Sequence, residues 1–101
     1  MNSRQKGLNN ENKAKKELLS EGWLVYRVPP SRMWQIGEDI FGLWDILAYR
    51  GGEIKLIQVR TNKKGDFKKH LEFAENNHYK SISCELWVWR DRKGWQKHLL
   101  W

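Results

Sequence analysis

LWDILAY (Leu43–Tyr49), the pair Gly51-Gly52, and IKLIQVR (Ile54–Arg60) decide how this chain folds. The two flanking runs are rich in β-branched and aromatic residues and are separated by a glycine turn, so together they read as a hairpin. Along a strand, side chains alternate between faces. Leu43, Asp45, Leu47 and Tyr49 are therefore expected on one face, with Trp44, Ile46 and Ala48 on the other. Asp45 interrupts an otherwise apolar strand, where a carboxylate is costly unless it is paired, hydrogen-bonded or bound to a cation. Gln58 and Arg60 share a face of the neighbouring strand. The hairpin can thus present Asp45, Gln58 and Arg60 as one polar cluster. The alternative is a plain Asp45–Arg60 ion pair, which leaves Gln58 unexplained.

Outward from the hairpin, Asn9–Glu21 (NNENKAKKELLSE) lacks Gly and Pro and reads as a helix stopped by Gly22. Trp23–Val28 alternates as a strand and ends at Pro29-Pro30, after which a loop runs to about Phe41. Asp66 is expected to cap a second helix reaching Asn76, with Phe67, Leu71 and Ala74 along its apolar face. Ser83–Arg90 and Trp95–Trp101 read as two further strands, the last at a sheet edge. The order is αβββαββ, an α/β fold in one domain spanning 1–101.

Composition bounds the function. An apolar fraction of 40% over 101 residues suffices for one modest core. No stretch is long and apolar enough to span a membrane, and MNSRQKGLNNENK has no apolar run of the signal-peptide kind, so no membrane partner and a cytoplasmic location are expected. The lone Cys84 has no second cysteine with which to form a disulfide or a CxxC site, and reads as a core residue. His70, His78 and His98 lack metal-binding spacing and read as helix-surface or strand residues. The net charge of +7, from 19 Lys and Arg against 12 acids, favours polyanions. Of the seven tryptophans, Trp44, Trp87 and Trp89 fall in apolar runs and read as core rather than as base-stacking platforms.

Glu11, one helical step from Ala14 and two turns before Leu18, falls on the face the first helix should turn to the sheet, within reach of the hairpin cluster. It equally suits the helix macrodipole as a first-turn acid. Between Arg60 and Lys69 five cations (Arg60, Lys63, Lys64, Lys68, Lys69) meet one acid, Asp66. Such a run is either a solvated face or a seat for a phosphate backbone, and Arg4, Lys6, Lys13 and Lys16 could extend the track.

Taken in order, these features resemble the PD-(D/E)xK nuclease superfamily, and within it the archaeal-type Holliday-junction resolvases. The resemblance runs through Lys6-Gly7 leading to Glu11, Gly22-Trp23, Arg27, Ser31, Asp45-Ile46-Leu47-Ala48, Gln58-Val59-Arg60, the basic residues with the second helix, and Gly94-Trp95. It implies a restriction-endonuclease-like mixed β-sheet flanked by helices and a metal-dependent, structure-specific DNA endonuclease. The implied ligands of Mg²⁺ (or Mn²⁺) are Glu11, Asp45 and Gln58. Ser31 would touch the scissile phosphate, though it also suits an ordinary turn. The implied partners are branched DNA and a second protomer. Gln58 stands where the family has an acid, which removes a negative charge from the site. Arg60 stands where it has a Lys, and a guanidinium can stabilise charge but not accept a proton. The loop before Asp45 also carries Glu38 and Asp39, of which Asp39 is expected first to restore the missing charge. Two other classes stay open: a DNA-binding module that has lost catalysis, and a small interaction protein whose basic face is solubilising.

Overall fold

A computed structural model describes residues 3–29 and 39–101, the side chains of residues 3 and 4 excepted. Seven elements follow in the expected order: α1 (Ser3–Ser20), β1 (Leu24–Arg27), β2 (Ile46–Arg50), β3 (Glu53–Thr61), α2 (Lys68–Asn77), β4 (Ile82–Arg90) and β5 (Gly94–Leu99). They build one five-stranded sheet ordered β1-β2-β3-β4-β5. The hairpin closes where the glycines predict. Gly51 and Gly52 take φ of 56° and 87°, conformations that cost an L side chain dearly, and Arg50 faces Glu53 across the turn. β3 and β4 run parallel, which demands a crossover, and α2 supplies it. β1–β2, β2–β3 and β4–β5 are antiparallel, so the sheet is mixed, with β5 at an edge.

Each face of the sheet carries its own apolar cluster. Ala14 and Leu18 of α1 bury themselves against Ile46, Ala48, Ile57, Val59 and Trp87. On the other face Leu56 and Cys84 pack with Trp44 and Ala74, flanked by Phe73. Cys84 and the core tryptophans Trp44 and Trp87 are buried as expected.

Four local expectations shift. The first helix begins at Ser3 rather than Asn9 because Ser3–Leu8 contains good helix formers and only Gly7 weakens it. The second strand begins at Ile46 rather than Leu43. Residues 40–44 form a tight turn, with Phe41 and Gly42 at φ 54° and 73° and Trp44 N–H donating to the Ile40 carbonyl at 3.0 Å. Strand alternation therefore does not reach back to Trp44, which joins the α2 face instead of sharing one with Ile46 and Ala48. α2 begins at Lys68, whose N–H donates to Asp66 Oδ1 at 2.9 Å, so Asp66 sits just ahead of the cap position. The buried stripe of α2 consequently contains His70 and Ala74, while Phe67 and Leu71 are half-buried. Finally, His70 is a buried residue and not a surface one. Its Nε2 bonds the Leu43 carbonyl at 2.8 Å and its ring meets Trp44 edge-on at 5.0 Å, which ties α2 to the turn preceding Asp45.

Candidate active site

Asp45 sits at the open end of the hairpin and is fixed from three directions. Its N–H donates to the Ile57 carbonyl (2.9 Å), its carbonyl accepts from Val28 N–H (2.9 Å), and its Oδ2 accepts from Val59 N–H (3.0 Å). The named ladder ends at Ile46↔Ile57. Beyond it the Asp45 side chain accepts from the Val59 N–H, which ties the carboxylate to β3 and keeps it buried.

That placement is electrostatically uncomfortable. Burial first, then the negative charges of Glu11 and Asp39 and a hydrogen bond shared with Asp39, push the Asp45 carboxyl up to about 7, against the lowering effect of Val59 N–H. Glu11 is half-buried on α1, and desolvation likewise raises its carboxyl despite Arg27, whose guanidinium lies 3.7 Å away. Arg27 is held in turn by Asn12 Oδ1 at 2.7 Å. Three acids, from α1, from the segment before β2 and from its threshold, thus act on one another.

Gln58 follows Ile57 as Asp45 precedes Ile46, so the two stand at one level of the sheet. The Gln58 Oε1 is buried with no hydrogen-bond partner. A buried acceptor left bare costs about 1–3 kcal/mol, and Trp23 Nε1, Arg27 Nε, Trp44 Nε1, His70 Nδ1 and His98 Nε2 share that state. Arg60 shares the strand parity of Gln58 but turns away: its guanidinium donates to the Lys64 carbonyl and lies against Gly65. Among the described residues it makes no ion pair with Asp45, so the simple cross-strand pair is not how the carboxylate is satisfied.

The basic residues divide into two groups. Lys63, Lys68 and Lys69 are exposed just beyond β3 and at the start of α2, and Lys64 lies over the Phe67 ring at 4.5 Å. Lys6, Lys13 and Lys16 line a separate cleft along α1, together with Trp89 and Asp91. Ser31 and Glu38 fall outside the described residues, as does the side chain of Arg4. Sequence reasoning passed over Asn10 and Asn12, and it read Trp89, which is half-buried and lines the cleft, as core. Asn10 is buried and donates to Thr61 Oγ1 at 2.7 Å, joining α1 to the end of β3. Its spacing of four from Ala14 was the available signal, masked by its polarity.

The site's donors are oxygen atoms, a set suited to a hard cation. Among the described residues, no three His, Cys, Asp or Glu side chains gather closely enough to enclose a metal ion on their own, so the Gln58 oxygen or main-chain carbonyls would have to complete a shell. Among them, too, no helix is long and apolar enough to cross a membrane.

No family model and no curated protein sequence matches the chain. Among solved structures it is similar to Hjc, a Holliday junction resolvase from the archaeal hyperthermophile Archaeoglobus fulgidus. The TM-score is 0.64 at 19% identity, over 94% of this chain and 73% of that one. The likeness that the order of residues carries therefore extends to three dimensions as a shared fold, a mixed five-stranded sheet flanked by helices, of the restriction-endonuclease-like type.

Proposed function

We propose that the protein is a metal-dependent endonuclease that hydrolyses phosphodiester bonds in DNA, acting on branched structures as a homodimer. The observation that carries this reading is the Asp45 carboxyl, raised to about 7 by burial and by two further acids, at the same sheet level as the partnerless Gln58 oxygen. A cation would offset the mutual repulsion of Glu11, Asp39 and Asp45 and would give the Gln58 oxygen a partner.

Glu11, Asp45 and Gln58, with Asp39 supplying the charge that Gln58 does not, would hold Mg²⁺ (or Mn²⁺). When bound, that ion supplies charge neutralisation at the phosphate and an acidified water. The chain's own groups do the rest. Asp45, pinned to Val59 N–H, orients the donor set and tolerates little movement. Arg60 stabilises negative charge developing on the phosphate once its guanidinium leaves the Lys64 carbonyl, and it takes no proton from water. Ser31 would contact the scissile phosphate. Lys63, Lys64, Lys68 and Lys69 seat the backbone on the side of Arg60, while Arg4, Lys6, Lys13 and Lys16 extend the contact along α1. Two protomers would supply the two active sites that paired cuts across a junction require.

Two observations favour a second reading, a DNA-binding module without catalysis: Arg60 is already occupied by a main-chain carbonyl, and Gln58 stands in place of an acid. Labelled four-way junction, duplex and single-stranded DNA, each incubated with Mg²⁺ or Mn²⁺, separate the two. The nuclease reading expects junction cleavage that Asp45→Ala reduces by roughly a thousandfold or more. Salt-sensitive binding with no cleavage by either ion would leave the module.

A further inference from the structure

The cleft along the N-terminal half of α1 is a built feature that the hydrolytic chemistry above does not use. It has a volume of about 480 Å³ and lies between α1 and the C-terminal end of β4. That is within the roughly 300–1,000 Å³ typical of small-ligand sites. Its floor includes Asn10, buried and bonded to Thr61. Its wall is Trp89, which pairs with Thr61 in the β3–β4 ladder and shares strand parity with the core residue Trp87. At this end of the sheet the indole is only half-buried. Trp95 braces it edge-on at 5.2 Å, and the Lys13 ammonium rests 3.9 Å from the ring centroid. The Lys13 ammonium covers that ring face, and being exposed it can be displaced by a group arriving from solvent.

The charge in the cleft is one-sided. Lys6, Lys13 and Lys16 face a single acid, Asp91. Hydrogen bonds from Lys6 first and Asn62 second hold the Asp91 carboxyl below its usual range, and Trp89 bonds it as well. The acid is thus spent within the protein, leaving Lys13 and Lys16 for an outside anion. A flat aromatic wall with cations at its rim is the chemistry that recognises a base together with its phosphate.

We propose that this cleft holds one unpaired nucleotide of a DNA strand, the base on Trp89 and the adjoining phosphate at Lys13 and Lys16. The incoming base displaces Lys13 from the ring, and the freed ammonium meets the phosphate. The proposal rests on the DNA substrate argued above and sharpens it: the preferred substrate exposes an unpaired base near the cut, as at a flap, gap or opened junction. Asn10–Thr61 sets the cleft at the end of β3 that also carries Arg60, one residue earlier and on the opposite strand face, so a DNA strand reaching both would pass around the end of the sheet.

The test uses the full chain in EDTA, so that binding is read without cleavage. Fluorescence anisotropy compares a ten-nucleotide oligothymidylate with an abasic oligomer of the same length and charge. The wild type should bind the thymidylate roughly tenfold tighter. Trp89→Leu should erase that preference while leaving abasic binding unchanged, and Trp89→Phe should retain most of it. Lys13→Ala with Lys16→Ala should weaken both oligomers alike. The indole N–H signal of Trp89 in the wild type, assigned through Trp89→Phe, should move with the thymidylate and not with the abasic strand, a readout independent of how the variants fold. Equal affinity of the wild type for the two oligomers, or an indole signal that ignores the thymidylate, overturns the proposal. Either result leaves the nuclease reading standing, whereas a protein that never cuts DNA can still show the base preference.

Discussion

At the turn end of the β2–β3 hairpin, Arg50 and Glu53 face each other in water across two glycines, and Arg50 also donates to the Glu21 carbonyl at 2.6 Å and lies over Trp23 at 4.3 Å. At the open end, some five residues away along the same strands, Asp45 is buried among like charges and Gln58 keeps a bare oxygen. At the turn end the charged groups meet solvent or a partner, and the unpartnered polar atom there is the Trp23 indole nitrogen. The other end withholds satisfaction from several groups at once. Proteins carry such local conflict chiefly where a ligand resolves it, and otherwise selection for stability removes it. The contrast supports the open end as the proposed site independently of any relative.

Removing the charge conflict at Asp45 should have the largest effect. In the folded chain Asp45 titrates near 7, above its ordinary value of 3.8. Between those values the native state binds a proton that the unfolded chain has lost, so stability falls as pH rises from about 4 to 7 and the full penalty persists above it. Asp45→Asn keeps an acceptor for Val59 N–H and deletes the charge. It should raise the unfolding free energy of the metal-free protein by roughly 2–4 kcal/mol at pH 8 and change it little at pH 4, as read by urea denaturation. Destabilisation at both pH values would mean that the carboxylate is a structural hydrogen-bond acceptor and no more.

A smaller effect sharpens the picture from the opposite side. Gln58→Glu restores the acid that the resolvase pattern carries, and should tighten Mg²⁺ binding roughly tenfold in calorimetry while lowering metal-free stability. Asp39→Asn should loosen Mg²⁺ by a few-fold and let the Asp45 carboxyl fall toward its usual range, because Asp39 contributes both charge and a hydrogen bond to the present shift. An unchanged Mg²⁺ affinity would remove Asp39 from the ligand set. At the turn end the expected response is purely structural. Gly52→Ala, at φ 87°, should cost about 1 kcal/mol in the same denaturation experiment and leave metal binding untouched.

The same contrast explains what the sequence made legible. The hairpin, its glycine turn and the order αβββαββ follow from period-two patterning and turn chemistry, which act over a few residues. Asp45 declared itself because a lone acid in LWDILAY has few inexpensive explanations. Strand parity failed one residue earlier, at Trp44, because Phe41 and Gly42 enter the left-handed region and no local pattern announces it. His70 looked like a surface residue because its environment is supplied by Leu43 and Trp44, 27 and 26 positions away in the chain. Trp89 was read as core because it continues the run through Trp87, and only the end of the sheet at α1 leaves it half-buried, lining the cleft with Lys13 over its ring. The orientation of Arg60 toward Lys64 likewise depends on a loop whose path the hairpin does not dictate.

The account depends on the open end of the hairpin being a cation site, and the ionisation of Asp45 reports on that directly. Carbon-detected NMR of the Asp45 carboxyl, titrated from pH 3 to 9 with and without saturating Mg²⁺, should show a midpoint near 7 in the metal-free protein. With Mg²⁺ the midpoint should lie lower by at least about one unit, since a bound cation favours the carboxylate. A midpoint near 4 in both titrations, or one near 7 that Mg²⁺ does not move, would contradict the account.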